Sequence, residues 1–306
     1  MKHLALVGAT ATGKSALALA AARRLGDVEI LSADSMQVYR GMDIGTAKPS
    51  AAERAEVPHH LLDLADPAGD FSVADFQAAA RAALADIEDR GRRALLTGGT
   101  GLYVRAVVDD LDLPGRWPAI RRQLEAEAGS GDGAARLHAR LDQLDPAAAA
   151  RMEPTNARRI VRALEVCLGS GRPFSSFGPG LLTYGPTRFA QVGLRVPRPT
   201  LDRRIAERVQ SMIDAGLVAE VRGLVERTRP LSRTARQALG YRELIEHLDG
   251  RCSLSEAVIE TISRTASFAR RQERWFRRDP RIRWLDHDGN PLAVLPDLLR
   301  DWAQCG

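Results

Sequence analysis

The sequence predicts an α/β fold, in which a parallel sheet is flanked by helices and a helical domain is inserted between two parts of the core. Apolar runs at 3–7, 28–31 and 94–96 are each followed by turn residues, as is expected of buried strands. Stretches with helical periodicity, such as 14–24 and 73–90, separate these runs. Strands that alternate with helices form parallel sheets, and the ligand crevice of such a sheet lies at the carboxyl ends of its strands.

The predicted core has two parts, residues 1–113 and 188–306. Residues 114–187 form the inserted helical domain, because their arginine-rich helical stretches are interrupted by glycine and turn residues. After it, a strand-like run at 189–196 returns the chain to the sheet. Further helices are expected at about 200–216, 219–228, 234–248 and 254–278. At 306 residues and 44% hydrophobic content, the chain can bury one large core and a smaller second one.

The charge of the chain is compatible with a polyanionic partner. The formal net charge is +5, and of 44 basic residues only Lys2, Lys14 and Lys48 are lysine. Because alanine is also abundant, the arginine bias partly reflects genomic base composition, and the placement of arginines is more informative than their number. No apolar run approaches the roughly 20 residues that a membrane-spanning helix needs, so we expect a cytoplasmic protein that does not bind membranes.

A phosphate-binding loop is predicted where the first strand meets the first helix. The pattern GxxxxGK[ST] is matched in full by Gly8, Ala9, Thr10, Ala11, Thr12, Gly13, Lys14 and Ser15. In such a loop, backbone N–H groups and a helix N-terminus face an anion, the lysine adds a charge, and the serine hydroxyl coordinates Mg²⁺. The sequence therefore predicts a bound diphosphate or triphosphate, with Mg²⁺ on Ser15.

A P-loop alone favours phosphoryl transfer, so a kinase of small metabolites is one alternative. Such an enzyme needs an acid at the end of a neighbouring strand to hold the metal. The run 94–96 ends instead in residues 97–100, Thr-Gly-Gly-Thr, which contain no carboxylate. The acid follows the second strand, at Asp34, where metal binding and general-base catalysis are both open to it. An N-cap or an Asx turn is the structural alternative for Asp34.

Six motifs, in one order, resemble the tRNA dimethylallyltransferases, also called tRNA isopentenyltransferases or IPP transferases. They are the P-loop, DSMQVYRGMDIGTAKP at 34–49, VPHHLLD at 57–63, GGTGLY at 98–103, RRIVRALEV at 158–166 and QALGYR at 237–242. Together they span most of the chain. The resemblance implies a P-loop NTPase-like core. It also implies that a dimethylallyl group is transferred from dimethylallyl diphosphate to the exocyclic amine of the adenine 3′ of the tRNA anticodon.

The resemblance implies a role for each residue of the predicted site. The adenine amine is a poor nucleophile, so a base must remove its proton, and Asp34 is the candidate because an aspartate is ionised at neutral pH. Lys14, the loop amides and Mg²⁺ on Ser15 would stabilise the leaving diphosphate. Thr10 is implied to point into the channel where donor and acceptor meet. Arg208 is implied to hold the diphosphate from the opposite side.

Transfer RNA is the implied partner, and its contacts lie in several segments. They are Asp34, Ser35, Met36, Gln37, Thr100, Arg121, Arg158, Arg159, Ile160, Val161, Arg162, Gln237, Ala238, Leu239, Gly240, Tyr241, Arg242, Arg270, Arg271, Gln272, Arg274, Trp275 and Arg277. For Thr100, a hydroxyl that only satisfies loop backbone groups is the alternative. The chain departs from the usual Thr-Arg-Gln of the family at 265–267, where Ala266 and Ser267 follow Thr265, so one basic contact is either missing there or supplied by Arg264.

The placement of arginines supports two anion sites and leaves a plain alternative for each. Arg204 and Arg208 are four residues apart on a predicted helix and therefore share a face. A solvated face, with Arg208 paired to Glu207 or Asp202, is the alternative. Eight arginines fall between 264 and 283 together with two aromatic residues, which suits contact with phosphates and stacking on unpaired bases. A solvated helix face is the alternative there as well.

Two other functions remain open from the sequence alone. A small-metabolite kinase would bind ATP and release ADP. A non-catalytic RNA-binding protein would keep the P-loop for structure and turn over neither donor. The absent acid after the run 94–96 argues against the kinase, and the combination of Asp34 with a complete P-loop argues against the inert binder. We expect a monomer.

Overall fold

The computed structural model describes residues 3–178, 180–181 and 183–304. Its contacts divide the chain into two compact units, one made of residues up to 110 together with those from 184 onward, the other of residues 111–183. The boundaries expected from the sequence were 113 and 187.

The larger unit contains one sheet of six parallel strands. The strands are β1 His3–Val7, β2 Val28–Ser32, β3 His59–His60, β4 Arg93–Gly98, β5 Phe189–Arg195 and β6 Arg283–Asp286, in the spatial order β3-β2-β4-β1-β5-β6. The predicted parallel α/β sheet is thereby confirmed. Strands β3 and β6 were not predicted, because two and four residues are too short to show a periodic pattern.

Fourteen α-helices lie in the described part of the chain. They are α1 Lys14–Leu25, α2 Ala51–Glu56, α3 Val73–Asp89, α4 Gly101–Val108, α5 Pro118–Ala128, α6 Gly133–Leu144, α7 Pro146–Ala149, α8 Ala157–Ser170, α9 Arg198–Asp214, α10 Leu217–Val225, α11 Arg233–Arg236, α12 Tyr241–Leu248, α13 Leu254–Phe276 and α14 Leu295–Gln304. Short 3₁₀ helices cover Phe174–Ser176 and Pro291–Val294. Among these described residues, no helix is both long and apolar enough to cross a membrane.

Both faces of the sheet are covered by helices, as the buried strands require. Successive side chains of a strand point to opposite faces. Accordingly, Leu4 and Leu6 pack in a cluster with residues of α1 and α14, whereas Ala5 and Val7 pack in a second cluster with residues of α3 and α4. The strands are therefore fixed in register, and loops at their carboxyl ends start from rigid positions.

One predicted helix, 234–248, is wrong as a continuous element. The chain forms α11 and α12 instead, and Gly240 between them has φ +84°, which a helix cannot contain. The helical pattern of side chains continues across this break, so periodicity alone did not reveal it.

The unit of residues 111–183 consists of α5 to α8 around its own small core. Leu124, Leu137, Leu141 and Leu164 are all almost fully buried in that core. Helix α8 begins at Asn156, whose side chain accepts a hydrogen bond from the N–H of Arg159, as N-cap residues do.

The segment at 43–45 is held by a single carboxylate. Glu220 on α10 accepts hydrogen bonds from the backbone N–H groups of Asp43, Ile44 and Gly45, at 3.0, 2.7 and 3.2 Å. It also accepts one from the hydroxyl of Tyr241, at 2.6 Å. Burial, the first cause, and the neighbouring Glu220 charge both raise the pKa of Tyr241, so its hydroxyl stays a donor.

We expect Glu220→Ala to lower the free energy of unfolding by about 2 to 3 kcal/mol, since three N–H groups and one hydroxyl lose a charged acceptor. The matched variant Tyr241→Phe removes only one of these four hydrogen bonds and should lower it by about 1 kcal/mol. Guanidinium unfolding followed by circular dichroism measures both. Equal losses in the two variants would contradict the central role of Glu220.

Candidate functional site

The loop that joins β1 to α1 has the backbone conformation of an anion cradle. Gly8, Ala11 and Gly13 all have positive φ, at 146°, 62° and 93°. A Cβ on Gly8 would lie 2.6 Å from the carbonyl oxygen of Leu194 in β5, so only glycine permits this approach. Such turns direct successive N–H groups towards one point.

The N–H donors of this loop have few hydrogen-bond partners inside the protein. Helix α1 begins after Gly13 without a side-chain cap, so the N–H groups of its first turn are open to an anion. Lys14 is 9% exposed, and its Nζ donates to the carbonyl oxygen of Ala9 at 2.5 Å. Burial and then the positive charge of Arg208 lower the pKa of Lys14 to about 7, while Asp34 opposes this shift. A bound anion would favour the charged lysine.

Other contacts of the loop fix its shape. The hydroxyl of Thr12 donates to the carbonyl oxygen of Ala9 at 2.9 Å. The carbonyl oxygen of Thr12 itself accepts from Nε2 of His287, which lies directly after β6, at 2.9 Å. The ring of Pro291 lies beside Gly13, where a Cβ would be only 2.7 Å away from it. Residues that are far away in sequence therefore hold the loop in place.

Helix α9 brings two arginines to the same loop, on the shared face that their spacing predicted. Arg208 donates from Nη1 to the hydroxyl oxygen of Thr10 at 3.3 Å. Burial lowers the pKa of Arg208, and the charge of Asp34 opposes this. The guanidinium of Arg204 is 3.3 Å from the position that a Cβ on Gly13 would take. Arg204 was predicted to share a helix face with Arg208 but was not predicted to belong to the site. Its spacing of four residues from Arg208 was the signal that could have identified it.

The alternative of a solvated ion-paired face does not describe Arg208. Glu207 lies 3.6 Å from the guanidinium of Arg203, and Asp202 accepts from Arg198 at 2.7 Å. Both carboxylates that were candidates for Arg208 therefore pair with other arginines of the same helix.

Asp34 follows β2 and has one oxygen held and the other open. Oδ1 accepts from the N–H groups of Met36 and Gln37, at 2.8 and 3.3 Å. Oδ2 accepts no hydrogen bond from any described residue. The Asx turn considered from the sequence is therefore present, and it orients the carboxylate without using the oxygen that a base needs.

Two loops meet next to Asp34. The hydroxyl oxygen of Thr100 accepts from the N–H of Ser35 at 3.1 Å, and the hydroxyl lies 3.3 Å from that of Ser35. A Cβ on Gly98 would overlap with the carbonyl oxygen of Ala33, so glycine is needed where the ends of β4 and β2 approach. The alternative considered for Thr100, bonding to loop backbone, is thus what its hydroxyl does here.

Gln37 is occupied by internal hydrogen bonds. Its side-chain oxygen accepts from the hydroxyl of Ser32 at 2.7 Å, and its nitrogen donates to the carbonyl oxygens of Thr46 and Ala47 at 3.0 and 3.2 Å. Gln37 therefore holds the segment that follows β2 against residues 46–47.

The donor set at the loop fits Mg²⁺ and not a protein-caged metal. Ser15 is exposed on the first turn of α1, and its hydroxyl makes no hydrogen bond to a described residue. No cluster of three or more His, Cys, Asp or Glu within the described ranges is arranged to hold a metal ion. Mg²⁺ takes one or two protein oxygens and completes its shell with phosphate and water, so Ser15 with a bound diphosphate suffices.

Helix α13 presents a basic face with an aromatic residue. Arg271, Arg274 and Trp275 of α13, together with Arg278 in the turn after it, line an open groove of about 290 Å³. None of these three arginines has a carboxylate partner among the described residues. Arg278 was not among the predicted RNA contacts, although it lies only four residues after Arg274.

The other predicted arginines of this helix already have partners. Arg277 pairs with Glu273 at 2.5 Å, and Arg270 donates to the hydroxyl of Ser267 at 2.6 Å. These two side chains are exposed, but their charge or donors are partly satisfied within the helix.

Five predicted RNA contacts have side chains in the protein interior. The exposed fractions are 0% for Ile160, 2% for Val161, 5% for Ala238, 0% for Tyr241 and 7% for Gln272. Direct contact of these side chains with RNA would require the core to open, so the structure gives them packing and positioning roles instead. Sequence motifs alone do not separate such residues from surface contacts.

The remaining predicted RNA contacts differ in solvent exposure and in whether they form ion pairs. Arg158, Arg159 and Gln237 are exposed, Leu239 is half-buried and Gly240 is buried. Arg162 pairs with Glu165 at 3.0 Å, Arg121 with Glu125 at 2.9 Å and Arg242 with Glu246 at 3.1 Å. Within α8, Arg158 and Arg159 are thus the freer charges.

Sequence comparison places the chain among known enzymes. Residues 37–279 match the family described as IPP transferase. The tRNA dimethylallyltransferase of Thermobifida fusca is 51% identical over 294 residues, which cover 95% of this chain and 91% of that protein. That of Streptomyces coelicolor is 52% identical over 296 residues, which cover 96% and 93%.

Solved structures agree with this family. A full-length tRNA isopentenylpyrophosphate transferase from Bacillus halodurans is 38% identical, with a TM-score of 0.71 over 99% of this chain and 97% of that one. A eukaryotic dimethylallyltransferase, described as acting on tRNA, is 24% identical with a TM-score of 0.78 over 99% and 77%, which supports the fold. With its P-loop, Asp34 and basic helix arranged as above, the chain belongs to the IPP transferase family of tRNA dimethylallyltransferases.

Proposed function

We propose that the protein transfers a dimethylallyl group from dimethylallyl diphosphate to N6 of the adenine 3′ of the anticodon in tRNA and releases diphosphate. The observation that carries this proposal is the meeting of an open anion loop with an oriented carboxylate. Lys14 and Arg208 supply positive charge there, and Asp34 lies close enough to influence the pKa of both. The protein acts as a cytoplasmic monomer in this proposal.

The donor is held by its diphosphate. The P-loop N–H groups, Lys14 and Arg208 bind its oxygens, and Thr10 lies between loop and arginine through its hydrogen bond to Arg208. Ser15 would hold Mg²⁺, which would supply positive charge against the diphosphate oxygens when bound. A diphosphate held by fixed donors is a better leaving group, because its developing charge is stabilised as the carbon–oxygen bond breaks.

The transfer reaction forms one bond and breaks another. The adenine N6 attacks the first carbon of the dimethylallyl group, and the carbon–oxygen bond to diphosphate breaks with its electron pair leaving on oxygen. The amine proton moves to Oδ2 of Asp34, the oxygen without an internal partner. Oδ1 stays bonded to the N–H groups of Met36 and Gln37, so the carboxylate keeps its orientation during the step.

Transfer RNA is recognised through unpaired basic side chains. Arg271 and Arg274 of α13, with Arg278 just after its end, bind its phosphates, and the exposed Arg158 and Arg159 of α8 do the same from the smaller unit. The target adenine must leave its stack to reach Asp34, which requires less energy in a loop than in a duplex.

Incubation with Mg²⁺, unmodified tRNA and either dimethylallyl diphosphate or ATP tests the proposal. Mass spectrometry of the RNA should show a gain of one dimethylallyl group with the first donor and no change with ATP. A phosphoryl gain with release of ADP would instead identify a kinase. Tight RNA binding without turnover of either donor would identify an inert RNA-binding protein.

Asp34→Asn should lower the transfer rate by about 10²- to 10⁴-fold and leave RNA affinity unchanged. Asparagine keeps an oxygen that can accept from Met36, so the turn survives while the base is lost. Single-turnover transfer and filter binding measure the two effects. The control Asp89→Asn, at an exposed end of α3, should change neither. A parallel loss of RNA binding in Asp34→Asn would remove Asp34 from the base role.

Arg274→Ala and Arg278→Ala should each weaken tRNA binding and lower the slope of log affinity against log salt by about one. Each arginine is exposed and has no acidic partner among the described residues, so its removal takes away one phosphate contact. Fluorescence anisotropy across a salt series measures the slope. Arg300→Ala on α14, where the arginine pairs with Asp297, is the matched control. A slope equal to that of the wild type in both test variants would refute the basic face as the RNA site.

A further inference from the structure

We infer that Gln272 is a positioning residue that fixes the P-loop for the diphosphate from within the helix that carries the RNA-binding arginines. This inference rests on the proposed function and deepens it. It also replaces the direct RNA contact that the motif suggested for Gln272, because the side chain is 7% exposed.

The two ends of the Gln272 amide hold two different loops. Its Oε1 accepts from the backbone N–H of Thr10 at 2.8 Å, and its Nε2 donates to the carbonyl oxygen of Gly99 at 2.9 Å. A backbone N–H can only donate and a carbonyl can only accept, so the amide has one possible orientation. Each end of the Gln272 amide therefore has a partner inside the protein, and its burial leaves little of the side chain open to a substrate.

The bond to Thr10 decides which loop amides face the anion. The N–H of Thr10 is used by Gln272, whereas those of Ala11, Thr12 and Gly13 donate to no group in the part of the chain that the structure describes. Holding the Thr10 peptide in this way leaves the following N–H groups to converge on the diphosphate. The hydroxyl oxygen of Thr10 also accepts a hydrogen bond from Arg208. A shift of this peptide would therefore disturb both the loop N–H groups and Arg208.

The bond to Gly99 connects the same side chain to the base. Gly99 precedes Thr100, whose hydroxyl accepts from the N–H of Ser35, and Ser35 directly follows Asp34. A Cβ on Gly99 would overlap with Nε2 of Gln272, so glycine at this position serves the close approach of α13. One amide thus joins the donor loop to residues 99–100, which contact Ser35 beside the general base.

Gln272 lies on α13 next to the arginines of the basic face. Arg271 precedes it and Arg274 follows within one turn, both on the exposed side of the helix, whereas Trp275 is half-buried. The indole of Trp275 packs so closely on Gly101 that a Cβ there would overlap with it. The buried side of α13 therefore orders both catalytic loops, and its other side faces RNA in the proposed function.

Gln272→Met tests the inference, because methionine has similar volume and neither hydrogen-bonding end. We expect the affinity for inorganic diphosphate, measured by calorimetry, to fall about tenfold when loop order is lost. The single-turnover transfer rate should fall by a comparable or larger factor, while the dissociation constant for tRNA stays that of the wild type. The control Gln210→Met, at an exposed position on α9, should change none of the three.

Gln272→Asn covers the case in which the methionine variant does not fold. Asparagine is one methylene shorter and cannot reach Thr10 and Gly99 together, so the same pattern is expected. Unchanged diphosphate affinity and rate in either folded variant would overturn the inference, as would a uniform loss that includes tRNA binding. Absence of transfer by the wild type would refute the proposed function separately, since diphosphate binding still reads out the role of Gln272.

Discussion

The buried ammonium of Lys14 is the constraint around which the rest of the site is arranged. A cation that is 9% exposed and whose pKa is lowered to about 7 is unfavourable unless an anion joins it. The carbonyl oxygen of Ala9 accepts from the ammonium, but the loop also presents N–H groups without a partner among the described residues, and Arg208 adds a second positive charge. This arrangement favours the binding of an anion, and the rigid sheet supplies the stability that holds these positive groups close together.

That stability comes from close contacts that only glycine allows. Gly8 lies against β5, Gly98 against the end of β2, and Gly99 and Gly101 against α13. Each is a point at which a Cβ would force two elements apart. The glycines of the GGTGLY motif are thus explained by packing, and Thr100 between them holds the backbone next to Asp34 through Ser35.

The arginines differ in whether a carboxylate of the protein pairs with them, and their number alone does not show this difference. Arg277, Arg242 and Arg162 each have a carboxylate within one helical turn, and such surface pairs contribute little to stability. Arg274 and Arg278 have none among the described residues and face solvent around Trp275. An unpaired, exposed guanidinium can bind phosphate without first losing a partner, so these positions are the better candidates for RNA recognition.

The sequence by itself determined the P-loop, the parallel sheet, the general base candidate and the family, because each depends on local spacing or on ordered motifs. It also predicted the shared face of Arg204 and Arg208, which follows from helix geometry. It did not separate α11 from α12, because the bend at Gly240 depends on one backbone angle that leaves the apolar pattern intact. Only the tertiary structure decided that Tyr241 binds Glu220 and that Gln272 joins two loops. Those contacts link residues that are 21 and more than 170 positions apart in the chain, and such pairings leave no periodic signal in the sequence.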